Sequence, residues 1–258
     1  MNWLPSPYSQ PGDKLPFISN IRRMALSNRK IAPNAYQLTI GGTNMMLILE
    51  ERLTLIDAGL HGSTPQILDF IRKLGRSPEE LDLIILTHRH IDHIGALAAL
   101  KRATPAKVAM HFADISDGKT PPPRAGVKHR LLQLPGSSTL RSVFFVKDED
   151  VDIRLSGGET LEPLGGLEVI HTPGHTVGSV CLYSPSHKMI FTGDALRKRR
   201  KVMLLPPKSI AGFNREQAIE SVRKISQLDI ETLCTGHGLP VTENISGMLT
   251  DLLEGNRD

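Results

Sequence analysis

The chain has 258 residues, a length that one α/β domain can reach, and 40% are hydrophobic, which excludes wholesale disorder. Its 31 basic and 27 acidic residues leave a net charge of +4, and only 4% are aromatic, so the composition argues against a nucleic-acid-binding protein. No apolar stretch has the length of a signal peptide or a membrane span. Cys181 and Cys234 are too few for a disulfide framework, although one bridge between them stays open. We therefore expect a soluble, cytoplasmic protein that does not bind membranes.

The predicted elements follow an irregular arm over residues 1–34, where prolines and polar residues interrupt the apolar clusters. Hydrophobic periodicity then predicts strands over 36–40, 45–49, 53–56, 81–86 and 107–110, and helices over 65–74 and 96–102. Residues 116–150 have a weak pattern and are interpreted as an insertion or flap. An antiparallel meander is predicted over 151–155, 167–170, 180–183 and 189–191, followed by helices that start at Asn214 and Thr242. These elements indicate an α/β fold in a single domain, 35–258, with two sheets covered by helices.

The most informative stretch of the sequence begins where the apolar strand 81–86 ends. His88, His90, Asp92 and His93 lie within six residues there. Residues two apart on an extended backbone point the same way, so His88 and His90 can bind one ion. The turn that follows can direct Asp92 and His93 toward a second ion. Imidazole and carboxylate ligands suit zinc, iron and manganese.

Three later turns place a potential metal ligand beside a glycine, and each turn follows a predicted strand. The residues are His175, Asp194 and His237. Glycine permits the sharp turn that aims such a side chain into a shared site. Taken singly, each residue has a simpler explanation. His175 or His237 could be a structural histidine in a turn, and Asp194 could cap a loop. Together with the first cluster they supply five histidines and two aspartates, enough for two coordination shells.

This ordered set of residues resembles the dinuclear hydrolases of the metallo-β-lactamase superfamily over residues 35–240. The resemblance implies an αββα sandwich with the metal site at one edge of the two sheets. By the family pattern, the first metal would be bound by His88, His90 and His175. The second metal would be bound by Asp92, His93 and His237, and Asp194 would bridge the two. Asp57 matches a position that supports the site from behind the ligands, the alternative being an ordinary turn aspartate.

The expected cofactors are two divalent metal ions, with zinc preferred over iron or manganese. Two cations about 3.5–4 Å apart can share a water and bring its pKa toward about 7, which supplies a bridging hydroxide at neutral pH. Asp92 is the expected catalytic residue, because a carboxylate bound through one oxygen can carry the proton from the water to the leaving atom.

The sequence departs from the motifs of several individual branches of this superfamily, and these departures reduce the number of expected substrate classes. Asp194 replaces the arrangement associated with true β-lactamases, which argues against antibiotic hydrolysis. Arg197 stands where acyl-homoserine lactonases usually have a tyrosine. Gly238-Leu239-Pro240 replaces the acidic and aromatic residues that tend to follow the last ligand in glyoxalase-II-like enzymes. His90 stands where flavodiiron proteins have a glutamate.

A basic run, residues 197–201, begins three residues after Asp194. Arg197 and Lys198 are therefore candidates for binding a phosphate, a carboxylate or a coenzyme-A-like group, the alternative being a solvated charged loop. The apolar residues 202–207 either line a pocket or pack beneath the insertion.

The sequence thus predicts a metallo-hydrolase of a glyoxalase-II-like or lactonase-like kind. Its partner would be a small molecule, anionic if the basic run binds it, that contains an ester, thioester or lactone bond. A phosphodiesterase, a mononuclear iron persulfide dioxygenase and a non-enzymatic binding protein are the alternatives. A homodimer is compatible with the sequence.

Overall fold

The computed structural model describes residues 26–116, 145–199, 202–205 and 213–255. These residues form two β-sheets that share an apolar interface, with helices on their outer faces. The architecture is the α/β sandwich of two mixed sheets that the sequence predicts.

The first sheet has seven strands in sequential order. They are β1 Leu26–Ala32, β2 Ala35–Ile40, β3 Thr43–Leu49, β4 Leu53–Ile56, β5 Leu81–Leu86, β6 Lys107–His111 and β7 Ile153–Leu155. The strands from β1 to β4 pair antiparallel, and those from β4 to β7 pair parallel. Helices α1 Thr64–Lys73, α2 Ile91–Ile94 and α3 Leu97–Ala103 occupy the two crossovers from β4 to β6. The carboxyl ends of β4, β5 and β6 consequently lie at the same edge.

The remaining strands form a second sheet and a hairpin. They are β8 Thr160–Leu161, β9 Leu167–His171, β10 Val180–Ser184, β11 Met189–Phe191, β12 Arg197–Arg199, β13 Val202–Leu204 and β14 Thr232–Cys234. The second sheet has the order β14-β11-β10-β9-β8, while β12 and β13 pair with each other. Helices α4 Arg215–Ser226 and α5 Ile245–Glu254 follow. Only β11 and β14 are parallel in this sheet, which brings Phe191 and Cys234 side by side.

Three apolar clusters hold these layers together. Strand β5 contributes to two of them, which explains why its sequence is almost wholly apolar. Ile84 packs toward α1 and α3, whereas its neighbour Ile85 packs between the two sheets. A strand covered on both faces has no polar side, so it reads as a continuous apolar run rather than an alternating one. The third cluster packs α4 and α5 against the outer face of the second sheet, with Val222 and Leu249 among its buried residues.

Strand β1 corrects the predicted N-terminal arm, since residues 26–32 are not irregular. The strand pairs with β2 from Leu26 opposite Ile40 to Ala32 opposite Ala35. Its side chains are mostly exposed, so backbone hydrogen bonding rather than burial forms it, and no apolar alternation marks it in the sequence. Residues 1–25 of the predicted arm lie outside the described residues.

Two further predictions and one alternative need correction. The segment 151–155 does not open the meander, because β7 pairs in parallel with β6 in the first sheet. Residues 197–199 form strand β12, which pairs with β13, so the alternative of a solvated charged loop does not hold for them. The last helix begins at Ile245, after an Asn244 whose positive φ of 51° ends the preceding turn, and not at Thr242.

Most of the predicted insertion, 117–144, lies outside the described residues, as do 206–207 of the apolar segment. The described ends of the insertion are paired by a parallel bridge between Ser116 and Lys147. Cys181 and Cys234 are buried free thiols. Within the described ranges, no helix combines the length and the apolar character needed to cross a membrane.

The apolar interface between the sheets can be tested with two matched substitutions. Phe191 is 1% exposed in that interface, so Phe191→Ala should lower the free energy of unfolding by about 3–5 kcal/mol. Phe112→Ala removes the same atoms from a ring that is 58% exposed and should cost less than about 1 kcal/mol. Urea denaturation of both variants measures the difference, and equal costs would contradict the packing described.

Candidate metal centre

All seven predicted ligands lie at one edge of the sandwich. His88 to His93 follow the carboxyl end of β5, and His175 lies in the connection from β9 to β10. Asp194 and His237 follow β11 and β14, whose parallel pairing directs both chain segments to the same edge. The two sheets therefore each contribute ligands to a common cluster.

The first group consists of His88, His90 and His175, which offer ligand atoms within 4.8 Å of one another. His90 Nδ1 lies 2.8 Å from His175 Nε2. Burial lowers the pKa of His88 well below its usual value and that of His175 to about 3, so both rings are neutral at neutral pH. Neutral ring nitrogens this close need a proton or a cation between them, because their lone pairs repel. The group is suited to a metal ion.

The second group consists of Asp92, His93 and His237, whose ligand atoms also lie within 4.8 Å. Asp92 Oδ2 is 3.3 Å from His237 Nε2 and 3.6 Å from His93 Nε2. Burial raises the pKa of Asp92, but the hydrogen bond with His237 and the neighbouring histidine charges lower it by a larger amount. The net shift of the pKa is therefore downward. The carboxylate is ionised at neutral pH and can act as a metal ligand.

Asp194 contacts both groups. Its Oδ2 is 3.5 Å from His175 Nε2 in the first group and 3.4 Å from His237 Nε2 in the second, while its Oδ1 is 3.6 Å from His93 Nε2. The side chain is 10% exposed. This placement between the groups is the one that a bridging ligand requires.

The chemistry of these donor atoms fits divalent metal ions. His88 Nε2, His93 Nε2 and Asp194 Oδ1 are buried and have no hydrogen-bond partner. Each such atom costs about 1–3 kcal/mol when nothing satisfies it, and a coordinated cation would remove that cost. Gly236 leaves the space open, because a Cβ there would collide with Asp194 and come within 2.8 Å of His93 Cε1. Imidazole and carboxylate donors suit zinc, iron or manganese.

Asp57 lies behind the second group, where the resemblance places it. Its Oδ2 is 2.7 Å from His93 Nδ1, and its Oδ1 accepts hydrogen bonds from the backbone N–H and the hydroxyl of Thr87. These contacts turn His93 Nε2 toward the cluster. Burial lowers the pKa of His93, but the Asp57 carboxylate raises it by more, to about 9 in the metal-free protein.

The turn that carries His237 is held by residues that sequence reasoning missed. Asn44 Nδ2 donates to the carbonyls of Thr235 and Gly238, each at 2.8 Å, and Gln37 Nε2 donates to the Gly238 carbonyl at 2.9 Å. His237 Nδ1 lies 2.8 Å from the Gly42 carbonyl, which orients the ring. The available signal was a pair of amide side chains inside two otherwise apolar strands.

Among the described residues, no hydrogen bond or ion pair joins Arg197 or Lys198 to a predicted ligand. Arg197 is exposed on β12 and Lys198 is half-buried. The three-residue separation of Arg197 from Asp194 limits the distance between their Cα atoms to about 11 Å. Arg200 and Lys201 of the basic run lie outside the described residues.

The exposed apolar side chains form a set that we call the apolar rim, because most of them lie close to a ligand along the chain. It comprises the large hydrophobic residues that are exposed in the described part of the chain, namely Ile91, Phe112, Val177, Val202 and Leu239. Three of them lie within two residues of a ligand, and Phe112 belongs to the turn that hydrogen-bonds the loop of His88 and His90. Exposed apolar side chains next to a polar cluster are typical of binding surfaces, whereas scattered ones need no explanation.

Comparison with known proteins identifies the same region. The family model of the metallo-beta-lactamase superfamily matches residues 38–237. The crystal structure of the metallo-beta-lactamase family protein TTHA1429 from Thermus thermophilus superposes with a TM-score of 0.68. The two share 21% sequence identity, and the match covers 88% of this chain and 81% of that one.

Curated relatives share about a third of the aligned residues. The uncharacterized protein YobT of Bacillus subtilis is 32% identical over 76% of this chain and 82% of its own. A hydroxyacylglutathione hydrolase of Cereibacter sphaeroides is 30% identical over 67% of this chain and 54% of its own. The acyl-coenzyme A thioesterase MBLAC2 of Gallus gallus is 29% identical over 63% of this chain and 60% of its own.

The histidine pKa values predict how the stability of the metal-free protein depends on pH. Hydrogen bonds to Asp194 and Asp92 raise the pKa of His237 to about 10, and that of His93 is about 9. From about pH 6.5 to these values the folded state binds more protons than the unfolded state, so stability falls as the pH rises. The lowered pKa of His175, about 3, has the opposite effect below about pH 6.5. We expect the free energy of unfolding to peak near pH 6.5.

Urea denaturation of chelator-treated protein between pH 5 and 9.5 measures this peak. Saturating zinc should remove the alkaline loss, because the imidazoles are then neutral ligands. Asp57→Asn should reduce the alkaline loss in the metal-free protein, since it removes the carboxylate that raises the pKa of His93. Constant stability between pH 6.5 and 9.5 would show that the two rings are not protonated as described.

Proposed function

Because the chain belongs to the metallo-β-lactamase superfamily and its two ligand groups meet at Asp194, we propose that it is a hydrolase with two divalent ions, zinc by preference. Its substrate is a small molecule with an ester, thioester or lactone bond. The contact of Asp194 with both groups carries this proposal, since a carboxylate that lies between two sets of ligand atoms suits a bridging ligand.

The residues of the cluster have different roles in the proposed hydrolysis. Two bound divalent ions would supply a nucleophile at neutral pH and would polarise the substrate carbonyl. Asp92 is the carboxylate assigned to proton transfer, since its side chain is 29% exposed, against 10% for Asp194, and can reach a substrate. Thr43 Oγ1 donates to Asp92 Oδ2 at 3.4 Å, which helps to fix this carboxylate. Asp194 is more enclosed and keeps the two groups together.

The surroundings of the site support a substrate with both an apolar and an anionic part. The apolar rim can contact an acyl chain, and each buried CH₂ contributes about 0.8 kcal/mol. Arg197 and Arg199 share the exposed face of β12, within reach of a phosphate or a carboxylate on the same molecule. Two relatives are named as a hydroxyacylglutathione hydrolase and an acyl-coenzyme A thioesterase. Among the three bond types, these names favour a thioester.

The two buried thiols support a location in the reducing cytoplasm. Burial raises the pKa of Cys181 and of Cys234 to about 12, so neither is a reactive thiolate. Free cysteines of this kind are typical of proteins that are not exposed to an oxidising compartment.

Metal analysis combined with one substitution tests the proposal. Protein purified without added metal should contain close to two zinc ions per chain and should hydrolyse one class in a panel of thioesters, esters, lactones and phosphodiesters. Asp92→Asn should lower kcat by at least about 100-fold, because the proton-transfer group is lost. Asp82→Asn, an exposed carboxylate at the start of β5 and thus at the opposite edge, is the matched control and should retain full activity.

Other results would redirect the assignment. One iron per chain with oxygen uptake and no hydrolysis would indicate an oxidative enzyme and overturn the proposal. Turnover of phosphodiesters alone would keep the metal centre but replace the substrate class. Full activity of Asp92→Asn would remove Asp92 from the mechanism.

The substrate model makes a separate prediction for acyl thioesters. The kcat/KM value should rise from a two-carbon to an eight-carbon acyl chain, and Leu239→Ser should flatten that rise, since it removes an apolar contact from the rim. Arg197→Gln should raise KM several-fold for a thioester that carries phosphates, with a smaller effect at high salt. Arg102→Gln, an exposed arginine at the opposite edge of the first sheet, is the control. Rates that do not depend on chain length would exclude a role for the rim.

A further inference from the structure

Asp114 lies at the centre of a hydrogen-bond network that joins two of the ligand loops. It ends the short turn Phe112–Asp114 after β6, and its side chain is fully buried. Its Oδ2 accepts from the Arg89 N–H at 3.1 Å and from the Thr176 hydroxyl at 2.5 Å. Its Oδ1 accepts from the Gly178 N–H at 2.9 Å. One carboxylate thus connects two loops that come from different sheets.

Two of the three groups that donate hydrogen bonds to Asp114 belong to direct sequence neighbours of the three-histidine group. Arg89 lies between His88 and His90, and Thr176 follows His175. Every ligand of the first group is therefore within one residue of an Asp114 contact. A shift of this carboxylate would change the spacing of all three rings.

The packing around Asp114 leaves little room for such a shift. A Cβ at Gly178 would lie 2.7 Å from the Asp114 nitrogen, so the loop after His175 rests directly on the Asp114 backbone. Arg89 Nε lies 3.9 Å from Asp114 Oδ1 and offers a positive charge to the buried carboxylate. A buried charge with several donors is costly to disturb, because the loss of one partner leaves the others unpaired.

The second group is held by different residues. Asp57 orients His93, and Asn44 and Gly42 hold the turn and the ring of His237. The hydrogen bonds that the structure gives Asp114 go to neither set. The turn of His237 is thus supported without Asp114, whereas the Thr87 hydroxyl, which donates to Asp57 and lies 3.1 Å from His88 Nδ1, connects the two ligand groups.

We propose that Asp114 is a positioning residue for the three-histidine group, which sets the spacing of its two loops and hence the affinity for the first metal ion. The inference rests on the proposed function, since it concerns the same metal centre. Substitution of residues that hydrogen-bond near metal ligands typically costs 10- to 100-fold in metal affinity. For Asp114 this loss should fall on one of two metal ions.

The experiment is a zinc titration of the metal-free full chain, in which calorimetry in the presence of a competing chelator measures the affinity of each binding step. Asp114→Asn keeps the shape of the side chain but removes the charge and turns an NH₂ group toward N–H donors. One binding step should weaken by 10- to 100-fold, and the other should stay within about threefold of the wild-type value. Asp152→Asn is the matched control. Asp152 accepts a hydrogen bond at 2.8 Å from the N–H of Val108, which lies on β6, the strand that precedes Asp114, and among the described residues Asp152 has no hydrogen bond to a ligand loop. The two binding steps of this control should equal those of the wild type.

Hydrogen exchange of the metal-free proteins gives a readout that does not involve metal. Asp114→Asn should speed exchange in the peptides covering 88–94 and 172–179, and leave 235–240 unchanged. If this variant does not fold, Thr176→Val removes one donor to Asp114 and should give a smaller change in the same direction. Unchanged zinc affinities with unchanged exchange would overturn the inference. Equal weakening of both steps with faster exchange throughout the chain would overturn it too, since Asp114 would then be merely structural.

The same titration separates this inference from the proposed function. Wild-type protein that binds no zinc, or binds two ions without hydrolysing any substrate, would contradict the proposed function before any variant is compared. Wild-type protein that binds two ions and hydrolyses a substrate, with an Asp114→Asn variant of unchanged affinity for both ions, would contradict only the role of Asp114.

Discussion

The structure depends on one electrostatic constraint, the burial of candidate metal-ligand atoms that have no hydrogen-bond partner. His88 Nε2, His93 Nε2 and Asp194 Oδ1 face one another without hydrogen bonds. Polar atoms in such surroundings destabilise the folded state unless something satisfies them. The rest of the molecule must therefore hold this edge in place by contacts made elsewhere.

The two sheets meet that requirement by placing fully buried core residues next to the site. Phe191 is fully buried between the sheets, and Asp194 follows it by three residues. Ile85 packs in the same interface, and His88 follows it by three residues. The ligands thus extend from strand ends whose positions the core has already fixed. Short connections of this kind give side chains little freedom, as a preorganised site requires.

Sequence reasoning predicted the parts of this structure that leave a periodic or chemical pattern. Strand β5 and the histidine cluster after it were identified because both are locally dense signals. Strand β1 was missed because its exposed residues carry no apolar alternation, and β7 was assigned to the wrong sheet because three residues do not specify a pairing partner. Asn44 and Asp114 were missed for a different reason. Their roles arise only when the fold brings together segments far apart in sequence.

The charges around the cluster indicate what kind of molecule it favours. Asp92 and Asp194 lie within the ligand groups and Asp57 stands behind His93, while the charge of Asp114 is offset by Arg89. Three carboxylates against two divalent ions would leave one positive charge, which a bound hydroxide would offset. A preference for an anionic substrate would therefore have to come from charges outside the ligand groups. Arg197 and Arg199 are exposed charges of this kind on β12, and under the proposed function they would draw the polar end of a substrate toward the edge where the apolar rim can contact the rest.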